Sequence, residues 1–268
     1  MINFIKQGVG PPVILIHGLA ASLYDWNDLI PALVGASYSV YALDLLGHGQ
    51  SEKPDKLDDY NAANFFASFC QWIDSLQLSE PYILVGHSLG GYLALQYALQ
   101  YPAKVKALIL SDPLFSRDQL PFFLRFNYRG QLINTTLIER TPVWIFQRII
   151  DLTSLSIRNG FVLSEKVRAQ TAADYKRAHP GIFNVVHSIS DFTPLFSSIK
   201  QPTLVIWGSN DQTLKPESFK KLLNKMPEAR GDVIIGAGHV PHQSHPAQFN
   251  ALVMQFLLSL EKNKREND

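Results

Sequence analysis

The stretch ILVGHSLGGYLAL, residues 83–95, constrains this chain more than any other. Its first residues are apolar and read as a strand, and the spacing after Leu89 reads as a helix. The reversal between them is confined to Gly86-His87-Ser88-Leu89-Gly90. So abrupt a turn forces its central residue into a strained backbone conformation. The residues two before and two after must then be small, so that strand and helix can approach. Gly86, Gly90 and Gly91 meet that need, which leaves Ser88 at the apex. The plain structural alternative is a glycine-rich connection carrying an incidental serine.

The rest of the chain supplies a frame for such a turn. Apolar runs at 13–18, 39–44, 82–87 and 105–112 read as strands, separated by helical patterns near 24–34, 60–77 and 89–101. The alternation resumes with a strand at 202–208, a helix near 216–226, a strand at 232–238 and an amphipathic helix from about 246 to 261, before the solvated tail EKNKREND. Strands apolar at consecutive positions imply a sheet buried on both faces, so the expected class is α/β with a mostly parallel, doubly wound sheet. Residues 113–197 carry helical periodicity, no clear strand and many aromatics: Phe115, Phe122, Phe123, Phe126, Tyr128, Trp144, Phe146 and Phe161. They read as a helical cap inserted into a core made of residues 1–112 and 198–268. The aromatics fit an apolar substrate pocket or the cap's own interior.

A serine hydroxyl is a poor nucleophile at neutral pH; it needs a base, and the base needs an orienting acid. Of eight histidines, His17 and His87 border strands and are expected to be fixed by packing or backbone hydrogen bonds. His48 lies in the LLGHGQS loop, and His179 and His187 fall in the cap. His239 follows the last strand in IIGAGHVPHQSHP, where Gly-Ala-Gly lets the chain turn back over the sheet edge. His242 and His245 stand nearer the final helix, in cap or surface positions. His239 is the expected base. For the acid, Asp211 in VIWGSNDQTLKP sits just past a strand end, although a turn or helix-capping role would place an aspartate there too. Asp112, ending LILSDP, is the alternative acid; Asp44 reads as a loop brace. Developing negative charge needs preorganised donors, for which the backbone N–H groups of Leu89, at the helix start, and Leu19, in HGLAAS, are placed.

The remaining features narrow the chemistry. A formal net charge of +1 gives no electrostatic footprint for nucleic acid or an acidic membrane. Cys70 is the single cysteine, which excludes an internal disulfide, and its apolar helical setting reads as packing. No CxxC or HExxH pattern offers a metal site, and GVGPP and GHGQS fail the dinucleotide pattern. No secretory signal or spanning run is apparent, so a cytoplasmic location is expected and the Asn134-Thr135-Thr136 sequon is read as chance.

Taken together, HGLAAS, DLLGHGQS, GHSLGG, WGSND and GAGHVPHQSHP, in the chain order Ser88, Asp211, His239, resemble the α/β-hydrolase superfamily with a helical cap, across nearly the full length. The resemblance implies Leu19 and Leu89 as the oxyanion hole, no cofactor, and a small-molecule substrate shaped by segment 113–197. GHSLGG looks most like esterase and lipase members, so a serine carboxylesterase is expected. A thioesterase or a carbon–carbon bond hydrolase or lyase with the same triad is the alternative, and a non-catalytic ligand receptor a lesser one. The DLLGHGQSEKP segment is similar also to haloalkane dehalogenases and epoxide hydrolases, but those carry aspartate where this chain has Ser88. Segment 113–198 holds ten Lys or Arg against six acids, which fits an anionic substrate or, more plainly, solvated helix faces.

Overall fold

The computed structural model describes residues 1–120, 142, 144, 145 and 163–267. Seven strands form one sheet: β1 (Phe4–Gln7), β2 (Pro12–Ile16), β3 (Ser39–Leu43), β4 (Tyr82–His87), β5 (Val105–Ser111), β6 (Thr203–Gly208) and β7 (Ala229–Ile234), in the order β1-β3-β2-β4-β5-β6-β7. All neighbours pair in parallel except β1, which runs antiparallel to β3. The α-helices that lie wholly within the described residues are α1 (Ile30–Gly35), α2 (Ala62–Ser75), α3 (Leu89–Gln100), α4 (Glu165–Arg177), α5 (Glu217–Lys225), α6 (Pro241–Ser244) and α7 (Pro246–Asn267).

Strands β2, β3, β4 and β6 are buried at every position. The period-2 alternation of side chains divides them between two cores. Ile14, Ile16, Leu84, Leu108, Leu110 and Val205 pack with residues of α2 and α3 on one face. Val13, Leu15, Ile83, Val85, Ile109 and Leu204 pack with α1 and α7 on the other. A strand covered on both sides has no polar face to expose, and its sequence is therefore continuously apolar.

The structure departs from the sequence expectations at element ends and edges. β1 has no counterpart among the expected strands, because four residues on an antiparallel edge, mostly exposed, carry little apolar signal. The helix expected over 24–34 is two pieces, a 3-10 turn at Leu23–Trp26 followed by α1. Pro31 lacks an N–H and fits only the first turn of a helix, so α1 begins there. β7 spans 229–234 rather than 232–238, since its pairing starts opposite Thr203 and Gly236 turns the chain at φ 84°. The expected solvated tail continues α7 to Asn267. Cys70 is half-buried, and burial pushes its thiol up to about 11.

Between β5 and β6, the described residues hold a 3-10 turn at Arg117–Gln119, α4, and 3-10 segments at Pro180–Ser188 and Thr193–Ser198, with no strand. They dock on loops and helix starts of the sheet region: His179 N–H donates to Gly47 O at 2.8 Å, and Ser188 Oγ accepts the Ala62 N–H at 2.7 Å. The Phe192 and Tyr92 rings stack at 4.5 Å. Phe115 is fully buried and Trp144 is exposed. Phe122, Phe123, Phe126, Tyr128, Phe146 and Phe161, like Arg125, Arg129, Arg140, Arg148 and Arg158, lie outside the described residues. Among the described residues no helix is long and apolar enough to cross a membrane.

Two buried histidines lock the loops at the carboxyl ends of β2 and β3. His17 Nδ1 meets Gly18 O at 2.7 Å while its Nε2 receives the Leu45 N–H at 2.9 Å. His48 Nδ1 meets Leu46 O at 2.9 Å while its Nε2 receives the Ala20 N–H at 3.0 Å. A carbonyl only accepts and a backbone N–H only donates, so both rings are neutral with the proton on Nδ1. Burial, the leading cause for each, holds both below the usual imidazole range. The unfolded chain takes up protons below about pH 6.5 that the folded rings refuse, so stability present above that pH is lost as pH falls. Thermal unfolding is expected to show a lower midpoint at pH 5 than at pH 7.5, with His48→Gln reducing the difference. A second expectation concerns the crossing of α3 over β2: a Cβ at Gly90 would lie 2.1 Å from Ile16 O, a backbone atom. Gly90→Ala should therefore cost about 3 kcal/mol or more in denaturant unfolding.

Candidate active site

Ser88 stands between β4 and α3 with φ 49° and ψ −112°, a conformation rarely adopted by a residue with a side chain. Three backbone bonds hold it there. Its N–H donates to Ser111 O at 3.0 Å, and its carbonyl accepts from the Tyr92 N–H at 3.1 Å and the Leu114 N–H at 3.0 Å. The glycines permit the crossing: a Cβ at Gly86 would meet Gly90 O at 2.5 Å. Gly18 brings the loop after β2 alongside, since a Cβ there would lie 3.3 Å from Ser88 Cβ and 2.6 Å from His87 Nδ1. Leu19 follows directly, and Leu89 is the first residue of α3, whose positive dipole end lies at the serine.

His239 comes from the loop after β7. Its Nε2 lies 3.0 Å from Ser88 Oγ and its Nδ1 lies 2.9 Å from Asp211 Oδ2. Asp211 is fully buried at its side chain, and its other oxygen accepts the N–H groups of Thr213 at 2.7 Å and Leu214 at 3.1 Å. An ionised carboxylate accepts and never donates, so Nδ1 carries the imidazole proton and Nε2 offers its lone pair to the serine hydroxyl. The arrangement can draw a proton from Ser88 and leave the resulting imidazolium beside a buried anion. The structure thus brings together Ser88, Asp211 and His239 from the ends of three different strands.

Asp112 is placed behind this trio. It has φ 41°, is fully buried, and accepts the Gly208 N–H at 3.0 Å. Its carboxylate, that of Asp211 and a nitrogen of His239 lie within 4.8 Å of one another. The nitrogen of His239 that faces an acid is bonded to Asp211, not Asp112. Burial, then the charge of Asp211, drives the Asp112 carboxyl well above the usual carboxylate range. Asp44 braces loops: it accepts the Leu23 N–H at 2.8 Å, the Gln50 N–H at 2.9 Å and the Asn3 amide at 2.7 Å.

Other residues position the site without entering the trio. His87 Nε2 donates to the backbone carbonyl of His239 at 2.8 Å, tying the histidine loop to the serine turn. Burial, followed by repulsion from His242 and His239, holds His87 well below the usual imidazole range. Gly208 lets the loops after β6 and β7 touch, because a Cβ there would lie 2.0 Å from Gly238 O. His242, expected at a cap or surface position, is instead 2% exposed and stacks on Trp26 at 4.7 Å. The sequence signal for these roles was thin: a histidine beside Ser88, and a glycine closing β6.

Comparison with known proteins agrees with this fold. A family model described as the alpha/beta hydrolase fold matches residues 11–246. The sn-1-specific diacylglycerol lipase ABHD11 of Xenopus laevis is 27% identical, over 94% of this chain and 81% of its own. The 2-hydroxy-6-oxo-6-(2'-aminophenyl)hexa-2,4-dienoic acid hydrolase of Metapseudomonas resinovorans is also 27% identical, over 95% of this chain and 87% of its own. Among solved structures, a thermophilic esterase from Thermogutta terrifontis superposes with a TM-score of 0.79 at 23% identity, covering 97% of this chain and 93% of that one. With the sheet order, the turn at Ser88 and a family match over most of its length, the chain belongs to the α/β-hydrolase family and is a hydrolase of that fold.

Proposed function

We propose that the protein hydrolyses a carboxylic ester of a small to medium, largely apolar substrate through a serine-bound acyl intermediate. The supporting observation is the bridge made by His239, 3.0 Å from Ser88 Oγ on one side and 2.9 Å from Asp211 on the other. Ser88 Oγ attacks the ester carbonyl carbon as His239 Nε2 takes the hydroxyl proton. The carbonyl oxygen becomes an oxyanion that the backbone N–H groups of Leu19 and Leu89 receive. Collapse of this intermediate breaks the bond to the leaving oxygen, which takes the proton from His239 and departs as an alcohol. Water then gives a proton to His239 and attacks the acyl carbon, releasing the carboxylic acid and restoring Ser88. Asp211 fixes the imidazole tautomer and stabilises the imidazolium in both halves of the cycle. No step calls for a cofactor, and segment 113–197 acts as the cap that shapes the substrate site.

A second reading, cleavage of a carbon–carbon bond in a vinylogous keto acid, is favoured by the dienoic acid hydrolase that is 27% identical over 95% of the chain. Turnover of such acids with no activity on any short or medium ester would select it.

Ser88→Ala is expected to lose about 10⁶-fold in turnover of p-nitrophenyl butyrate, and a variant as fast as the parent would end the ester reading. Asp211→Asn is expected to lose about 10⁴-fold in the same assay with its fold intact by circular dichroism, because the imidazole is then held in the wrong tautomer.

A further inference from the structure

The triad as proposed uses one acid, yet the fold buries two carboxyls side by side. Asp112 and Asp211 are 0% and 3% exposed, and their oxygens lie within 4.8 Å of each other. Two buried carboxylates this close repel one another, which favours a state in which one of the pair keeps its proton. The donors decide which. Asp211 accepts three N–H groups, from Thr213, Leu214 and the His239 ring. Asp112 faces the Gly208 N–H at 3.0 Å and the Ser111 hydroxyl at 3.3 Å. Asp211 has the stronger claim to the charge.

We propose that Asp112 is a positioning residue held as the neutral acid, its hydroxyl donating a hydrogen bond to the carboxylate of Asp211. The groups facing Asp112 are Ser111 from β5, the Gly208 amide ending β6, Asp211 from the following loop and His239, a nitrogen of which lies within 4.8 Å of both carboxylates. The direction of its titration agrees: burial comes first and the Asp211 charge second.

The consequence for chemistry is a damped acid. A carboxylate that accepts a fourth hydrogen bond has less negative charge to offer the imidazolium of His239. Removing the donor strengthens the attraction between Asp211 and the protonated ring. Protonated His239 persists to higher pH, and the acid limb of kcat/KM moves upward.

This inference rests on the proposed triad, and the experiment separates the two. The pH profile of kcat/KM on p-nitrophenyl butyrate is measured for the parent, Asp112→Asn, Asp112→Ala and Asp211→Asn. Asp112→Asn, which keeps an N–H donor and an oxygen acceptor, is expected to stay within about threefold of the parent with its acid limb unmoved. Asp211→Asn loses about 10⁴-fold. Asp112→Ala is expected to shift the acid limb upward by about half a unit or more. A loss in Asp112→Asn as large as in Asp211→Asn, or an unmoved limb in Asp112→Ala, overturns the proposal. Infrared difference spectra at neutral pH give a readout independent of activity and of the alanine variant's folding. The parent is expected to show the carbonyl stretch of a protonated carboxyl that Asp112→Asn lacks, and a parent without that band contradicts the neutral acid. An active Ser88→Ala would instead remove the triad reading while leaving the infrared result standing.

Discussion

The site depends on one backbone constraint, the reversal that carries the chain from β4 into α3 through Ser88 at φ 49°. A strand and a helix can meet this tightly only where side chains are missing on both. The absent Cβ atoms at Gly86 and Gly90 are therefore as much a part of the site as the hydroxyl. The strain is held by bonds from three directions, the Ser111 carbonyl and the Tyr92 and Leu114 amides. They use both backbone groups of Ser88 and leave its side chain at the helix's positive end. The neighbouring loops then have little freedom, because Gly18 lies against Ser88 and Gly208 against Gly238.

Around that reversal, His17, His48 and His87 act as rigid connectors. Each of His17 and His48 joins a carbonyl to a backbone N–H across two loops, which fixes its tautomer and keeps it uncharged in a buried setting. His87 makes a single such link, from its Nε2 to the main-chain carbonyl of His239 at 2.8 Å. Preorganisation of this kind lets an imidazole bridge a hydroxyl and a carboxylate without a search through conformations at the moment of reaction.

Much of this was legible in the residues. The continuous apolar runs mark a sheet covered on both faces, and the G-x-S-x-G context marks the reversal; both follow from local sterics and burial. The edge strand at Phe4–Gln7 was not legible, since an exposed antiparallel edge of four residues leaves almost no pattern. The choice between Asp211 and Asp112 was open too, because each ends or follows a strand on the same side of the sheet. Only the three-dimensional placement shows that the His239 ring is bonded to Asp211. The burial of His242 was hidden because it arises from Trp26, more than two hundred residues earlier in the chain.

The account stands on an imidazole making a distant serine hydroxyl reactive. The rate at which a fluorophosphonate probe labels the protein, with the modified residue identified by mass spectrometry, reports that reactivity without any assumption about the natural substrate. The account predicts labelling at Ser88 in the parent and its near-complete loss in His239→Ala. Labelling of His239→Ala at the parent's rate, or modification at another residue, would contradict it.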